Sequence, residues 1–230
     1  MADLQEDLIN AEQAGTLDGL FYERVRRSPG LTAYQDFDRQ SGSWRDSTWA
    51  DVAHQVARWR AALAAEAFGD GERAAISLRN GLDWVYFDQA VMAEGLVSVP
   101  LYTEDRPDNV SYIIEDAAVS LLLVQSLAQW KKLAPALQDD NPLQRILILE
   151  KPKDPDKQVA ALEQDERLRF VEDWLPSQAP SMQRREGDPH ALASIVYTSG
   201  TTGRPKGVML SHYNMLSVAH AALACIDCGP

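Results

Sequence analysis

One stretch concentrates groups able to hold a polyanion: Thr198-Ser199-Gly200-Thr201-Thr202-Gly203-Arg204-Pro205-Lys206-Gly207. Four hydroxyl side chains, on Thr198, Ser199, Thr201 and Thr202, fall within five residues. Gly200, Gly203 and Gly207 open backbone conformations closed to other residues and leave amide N–H groups uncovered. Lys206 adds a positive charge, and Pro205 restricts the residue before it. Successive N–H and O–H groups turned inward form a concavity for anions. A hydrogen bond to a charged group contributes roughly 1.5–3 kcal/mol, so a few of them plus one ammonium suffice to hold a triphosphate. Composition alone fits a Ser/Thr/Gly-rich surface turn equally well. The stretch is not a Walker A loop, which needs Gly-Lys followed by Ser or Thr, whereas here Lys206 precedes Gly207. The Rossmann glycine pattern is also missing.

Helical and extended patterns alternate ahead of this stretch. Thr16 is placed to cap a helix through Arg27 that buries Leu17, Leu20, Phe21 and Val25. Extended segments come next over 31–37 and 43–48, separated by a turn at 38–42. Thr48 with Asp51 makes a capping-box pattern, opening a helix that carries Val52, Val56, Trp59 and Leu63 on one face and ends near Gly69. Strands are expected at 74–78, 96–101, 120–124 and 145–149. Helices are expected between them: one capped by Asn80 and lined by Trp84, Phe87 and Val91, one starting at Pro107 and burying Val110, Ile113, Ile114 and Ala117, and one from Ser126 to Leu137. Near-continuous apolar strands alternating with helices indicate an α/β fold, with mostly parallel sheets covered by helices on both faces. Three segments are expected: an α/β N-terminal subdomain over 1–150, a connecting segment over 151–190, and over 191–230 the start of the next subdomain, with strand 193–197 leading into the loop and 208–210 and a helix from Ser211 leaving it.

Bulk properties exclude several classes. Hydrophobic residues are 45% of the 230 and charged residues 24%, a globular balance with too much apolar material for a disordered chain. A net charge of -12 argues against nucleic acid, which needs clustered Lys and Arg. The acidic start has no basic region followed by an apolar one, and no apolar run reaches the length of a transmembrane helix, so a cytoplasmic protein is expected. Cys225 and Cys228 lack a second pair to complete a metal site. His212, at the helix entrance after the loop, either shapes the site or packs; His54 suits a solvated helix face, and His190 and His220 have no matching partners for a metal. Trp59 and Trp84 read as core.

Tyr197–Gly207, written YTSGTTGRPKG, resembles the phosphate-loop signature of the adenylate-forming (AMP-binding) superfamily, without a gap and with every glycine and the lysine in place. Val208–Asn214 is similar to the segment just after that loop in acyl-CoA synthetases. Thr48–Val52 and Ala93–Tyr102 resemble weaker family motifs, and Val99–Pro107 with Asn109–Ile114 looks like bacterial long-chain fatty acid–CoA ligases. The resemblance runs from about Thr16 to the C-terminus. It implies the N-terminal part of the large domain of an ATP-dependent, AMP-forming acyl-CoA ligase. Carboxylate attack on ATP gives an acyl-adenylate and pyrophosphate, and CoA then takes the acyl group as a thioester.

By that resemblance Thr198, Ser199, Gly200, Thr201, Thr202, Gly203 and Lys206 contact the β- and γ-phosphates; none is a covalent nucleophile. The expected small-molecule partners are a fatty acid, ATP and CoA. The Tyr-Gly-x-Thr-Glu motif, whose glutamate goes with Mg²⁺, is not matched before Pro230, nor are the family's ribose aspartate and catalytic lysine. The chain alone is therefore expected to be inactive, with its metal ligand beyond it. An apolar face left by the missing half is expected to allow self-association. Adenylation of an amino or aryl acid, and a non-catalytic nucleotide-binding or interaction module, are the alternatives.

Overall fold

The computed structural model describes residues 8–38, 41–199 and 203–225. A short helix α1 (Ala11–Ala14) leads to α2 (Leu17–Arg27), capped by Thr16, whose hydroxyl accepts from the Gly19 amide at 3.1 Å. Strands β1 (Thr32–Asp38) and β2 (Ser43–Thr48) pair antiparallel as a hairpin outside the main sheet. Helix α3 (Trp49–Ala64) opens with the capping box: the Thr48 hydroxyl accepts from the Asp51 amide, and the Asp51 carboxylate accepts from the Thr48 amide. Its Val52, Val56, Trp59 and Leu63 are all buried, as their spacing dictates.

The chain continues through β3 (Arg73–Ser77), α4 (Leu82–Ala93), β4 (Val97–Pro100), α5 (Pro107–Asp116), β5 (Val119–Ser126), α6 (Leu127–Leu133), β6 (Arg145–Glu150), α7 (Pro155–Gln164), β7 (Leu168–Phe170) and α8 (Val171–Trp174). Strand β8 (Leu192–Thr198), strand β9 (Lys206–Ser211) and helix α9 (His212–Cys225) come last. The main sheet has seven strands in the order β7-β6-β5-β3-β4-β8-β9, parallel throughout except for the antiparallel pair β8–β9.

Strand periodicity sorts the core into two layers. Leu122, Val124, Ile146 and Ile148 face α5 and α6, while Leu121, Leu123 and Leu147 face α2, α3 and α4. A smaller cluster joins Ile9 and Ala14 to Leu216 of α9. Helix α4 leaves β3 toward one face, whereas α5 after β4 and α6 after β5 cover the other. That change of side opens a crevice at the carboxyl ends of β3, β4 and β5, where open α/β sheets bind ligands.

Several local expectations shift. Asn80 is not the cap of α4; Gly81 holds that position and no side chain bonds the first turn, because Asn80 stands one residue too early to reach it. The helix expected from Ser126 to Leu137 stays α-helical only to Leu133 and tightens to a 3₁₀ turn over Ala134–Ala136, where Pro135 has no N–H to continue it. Helix α3 ends at Ala64, short of Gly69. In α2 Phe21 is buried, while Leu17, Leu20 and Val25 are half-buried. Residues 151–190, read as a connection, hold α7, β7 and α8, and β7 adds an edge strand beside β6 through Leu168 and Phe170. Strands β8 and β9 extend this same sheet. Val208 and Met209 on β9, with Val218 and Leu223 on α9, are exposed.

Candidate phosphate-binding site

The hydroxyl-rich stretch is the connection of the β8–β9 hairpin. Tyr197 pairs with Gly207 and Thr198 with Lys206, so the loop closes on a fixed base with Thr198 opposite Lys206. Thr198, Ser199 and Lys206 are exposed. Gly203 lies in the left-handed region at φ 88, which explains glycine there, and no atom of the described residues would meet an added Cβ. Gly207 is glycine for a different reason. A Cβ there would stand 2.9 Å from Ile195 Cγ2 and 3.1 Å from Tyr197 Cζ, because the tyrosine ring lies across its backbone. Gly200, Thr201 and Thr202 lie outside the described residues.

Because β8 runs parallel to β4, the loop emerges at the carboxyl edge of the sheet. A cavity of about 340 Å³ lies between Thr198, Ser199 and Pro205 on one side and Leu101, Tyr102 and Asn109 on the other. It shares Tyr102, Glu104 and Asp105 with a cavity of about 470 Å³ at the ends of β3 and β5, which Arg79, Arg106 and Lys132 border. A third, also about 470 Å³, runs from Arg79 and Asn80 past Tyr102 to Tyr197. The edge is thus a continuous run of crevices beside the loop, a shape suited to an extended polar ligand. Among the described residues no group of three or more His, Cys, Asp or Glu stands together to hold a metal.

His212 resolves to packing. It is buried, and its Nδ1 accepts from the Leu17 amide at 3.1 Å, satisfying the open end of α2. Burial pushes its pKa down, in keeping with a neutral acceptor. Trp84 is partly buried and Trp59 fully so. Sequence reasoning missed Arg79, Tyr102, Arg106 and Lys132, which lie past the ends of β3 and β4 or, for Lys132, in the last turn of α6; knowing which strands are neighbours was needed to bring them together. It also missed Asp116, whose Oδ2 accepts from the Tyr197 hydroxyl at 2.6 Å across 81 positions.

The family model described as "AMP-binding enzyme" matches residues 21–229. The chain belongs to the AMP-binding enzyme family. Among similar proteins, a long-chain-fatty-acid–CoA ligase, FadD15 of Mycobacterium bovis, is 27% identical over 219 residues, covering 89% of this chain and 32% of the relative. A solved fatty acyl CoA synthetase of Mycobacterium tuberculosis superposes with a TM-score of 0.72 at 21% identity, over 94% of this chain and 38% of that one. The anthranilate CoA ligase AuaEII, solved with anthranoyl-AMP, superposes at 0.70 with 20% identity, over 90% of this chain and 36% of that one. The chain spans about a third of the length of these AMP-binding enzymes. The fold is that of the N-terminal part of adenylate-forming enzymes.

Proposed function

We propose that this chain supplies the ATP-phosphate-binding portion of an AMP-forming ligase that activates a fatty acid and passes it to CoA. The observation that carries the reading is the hairpin loop at the carboxyl edge, with Thr198 and Lys206 paired at its base beside an open crevice. In the first half-reaction a carboxylate oxygen attacks the α-phosphorus of ATP, and the bond to the bridging oxygen breaks to release pyrophosphate. Thr198, Ser199 and Gly203, together with Gly200, Thr201 and Thr202, bind the β- and γ-phosphates through hydroxyl and amide hydrogens. The Lys206 ammonium offsets charge on the departing pyrophosphate. Fixed donors of this kind act by stabilising developing charge, the main device in phosphoryl and nucleotidyl chemistry. In the second half-reaction the CoA thiol attacks the acyl carbon and AMP leaves. Mg²⁺ bound to the triphosphate supplies further neutralisation; the described residues do not build a site for it.

Residues 1–150 serve as scaffold in this proposal, residues 151–190 brace the sheet's edge and helices, and 191–230 carry the loop. A fatty acid is favoured over an aryl acid by the similarity to FadD15, and the likeness to AuaEII keeps aryl acids as the second reading. The test is ATP–pyrophosphate exchange by the full-length gene product with a panel of fatty and aryl acids. Fatty acids are expected to drive exchange, and Lys206→Ala to slow it by about tenfold or more, the effect of one lost charge-assisted contact. Undiminished exchange in that variant refutes the role given to the loop. The isolated 230-residue chain is expected to form no acyl-AMP.

A further inference from the structure

Both arms of the phosphate loop are tied to the same turn of α5. On the incoming arm, the Tyr197 hydroxyl donates to Asp116 Oδ2 at 2.6 Å. Tyr197 is 7% exposed and Asp116 is exposed, so the phenol reaches outward from the core to a surface carboxylate. On the outgoing arm, the guanidinium of Arg204 stands over the Tyr112 ring, 5.3 Å from its centroid. Tyr112 and Asp116 are one helical turn apart, and the Tyr112 hydroxyl donates to the remaining oxygen, Asp116 Oδ1, at 3.3 Å. A continuous chain Tyr197–Asp116–Tyr112–Arg204 therefore bridges the loop through a rigid element. Its anchor is reinforced below the loop, where the Tyr197 ring fills the space left by Gly207 on the partner strand.

We propose that Asp116, with Tyr112, is a positioning residue that presets the phosphate loop for ATP. The inference rests on the reading of the loop as the ATP-phosphate site. Its logic is that of a preorganised site: donors aimed at phosphate oxygens are effective only if their supports are held by groups that do not themselves touch the ligand. Neither Asp116 nor Tyr112 needs to meet ATP. A carboxylate would in fact repel it, and here that carboxylate is engaged by two phenols. The cation–π contact holds Arg204, and with it the segment after Gly203, without consuming its charge.

Steady-state kinetics of the full-length protein separate this role from a merely structural one. Asp116→Ala is expected to raise the KM for ATP about fivefold, the effect of one net hydrogen bond, with the KM for the carboxylate unchanged. Asp116→Asn keeps a carbonyl acceptor for Tyr197 and is expected to restore the KM toward wild type. Tyr197→Phe should raise the KM for ATP as well, and the double variant should be no worse than Asp116→Ala alone, because Asp116→Ala already removes the contact that Tyr197→Phe removes. Tyr112→Leu, which withdraws the ring beneath Arg204, should raise the KM for ATP independently. Lys206→Ala serves as the reference for the underlying reading. If Lys206→Ala raises the KM for ATP while Asp116→Ala and Tyr112→Leu do not, the positioning role is refuted and the phosphate loop stands. If all three leave it unchanged and Lys206→Ala also leaves ATP–pyrophosphate exchange undiminished, the loop reading falls and takes this inference with it; if exchange falls in Lys206→Ala alone, only the positioning role is refuted.

Discussion

Asp88 is a carboxyl group that the fold would hold more comfortably without its charge. It lies on α4 facing β4, where the Ser98 hydroxyl donates to its Oδ1 at 2.6 Å, and Ser98 is 2% exposed. Burial pushes the carboxyl up to about 6 from 3.8, and the Ser98 hydrogen bond only partly opposes that. The folded state therefore holds this proton more tightly than the unfolded chain does. Between about pH 4 and pH 6 the folded state binds more protons, so Asp88 makes stability fall as pH rises through that window. Above it the penalty is complete, and a shift of two units corresponds to about 3 kcal/mol as an upper bound.

Asp88→Asn removes the ionisation and keeps an oxygen to accept from Ser98. Some of the gain is lost because the new amide hydrogens also need partners. We expect the variant to be more stable than wild type at pH 7.5 by about 1–2 kcal/mol, or about 2–8 °C in Tm for a domain of this size. At pH 4, where wild-type Asp88 is protonated, the advantage should vanish. Thermal unfolding followed by circular dichroism at the two pH values measures the difference directly, since other titrating groups are common to both proteins. An equal loss of stability at both pH values would refute the reasoning, because a lost hydrogen bond has no such pH dependence.

Two further changes probe the packing around the site and at the far end of the sheet. Gly207→Ala should cost about 1–3 kcal/mol in urea unfolding, as for other overpacked positions, and pairing it with Ile195→Ala should recover part of the loss; no recovery would mean that crowding by Ile195 is not the cause. Glu66 accepts from Arg145 through both oxygens at 2.9 Å and from Trp174 Nε1 at 2.8 Å, tying the segment just past α3 to β6 and α8. Burial works to raise its pKa, and the bonds to Arg145 and Trp174 outweigh this and hold it below the usual range. Its contribution is present above the ordinary glutamate pKa and fades as pH falls through the lowered value. Glu66→Ala should cost about 2 kcal/mol at pH 7, less than a fully buried pair because the group is partly exposed, and less at pH 3; an equal cost at both values would discount the ion pair.

How far each feature could be read from the sequence depends on how local its determinant is. The strands around Leu121–Val124 and Ile146–Ile148 were legible because they are unbroken apolar runs, which require cover on both faces. The α3 entrance was legible because Thr48 and Asp51 are three positions apart and bond each other. Strand β7 was not, since three residues are too few to show a period. Within the loop, Gly203 fits its expected conformational role, whereas the demand on Gly207 exists only once β8 and β9 are in register. The Tyr197–Asp116 bond had no local signal at all. It depends on α5 packing over the face of the sheet beneath the end of β8.

The net charge of -12 poses a difficulty for a site that takes a triphosphate, and the fold answers it by segregation. Charges farther than about 8 Å from a ligand are largely screened at physiological salt. An incoming nucleotide therefore senses mainly the carboxyl edge at close range. There Arg79, Arg106 and Lys132 border one crevice, outnumbering Glu104 and Asp105 beside them, and Arg204 and Lys206 stand on the adjoining loop. Arg79 follows the end of β3, Arg106 stands at the N-cap of α5, Lys132 lies in the last turn of the short α6, and Arg204 and Lys206 stand at the hairpin. Parallel strand order gathers the first three at one edge, around the mouth of the crevice over β3 and β5, while Glu104 and Asp105 line the crevice beside the loop, where Arg204 and Lys206 supply the nearby positive charge.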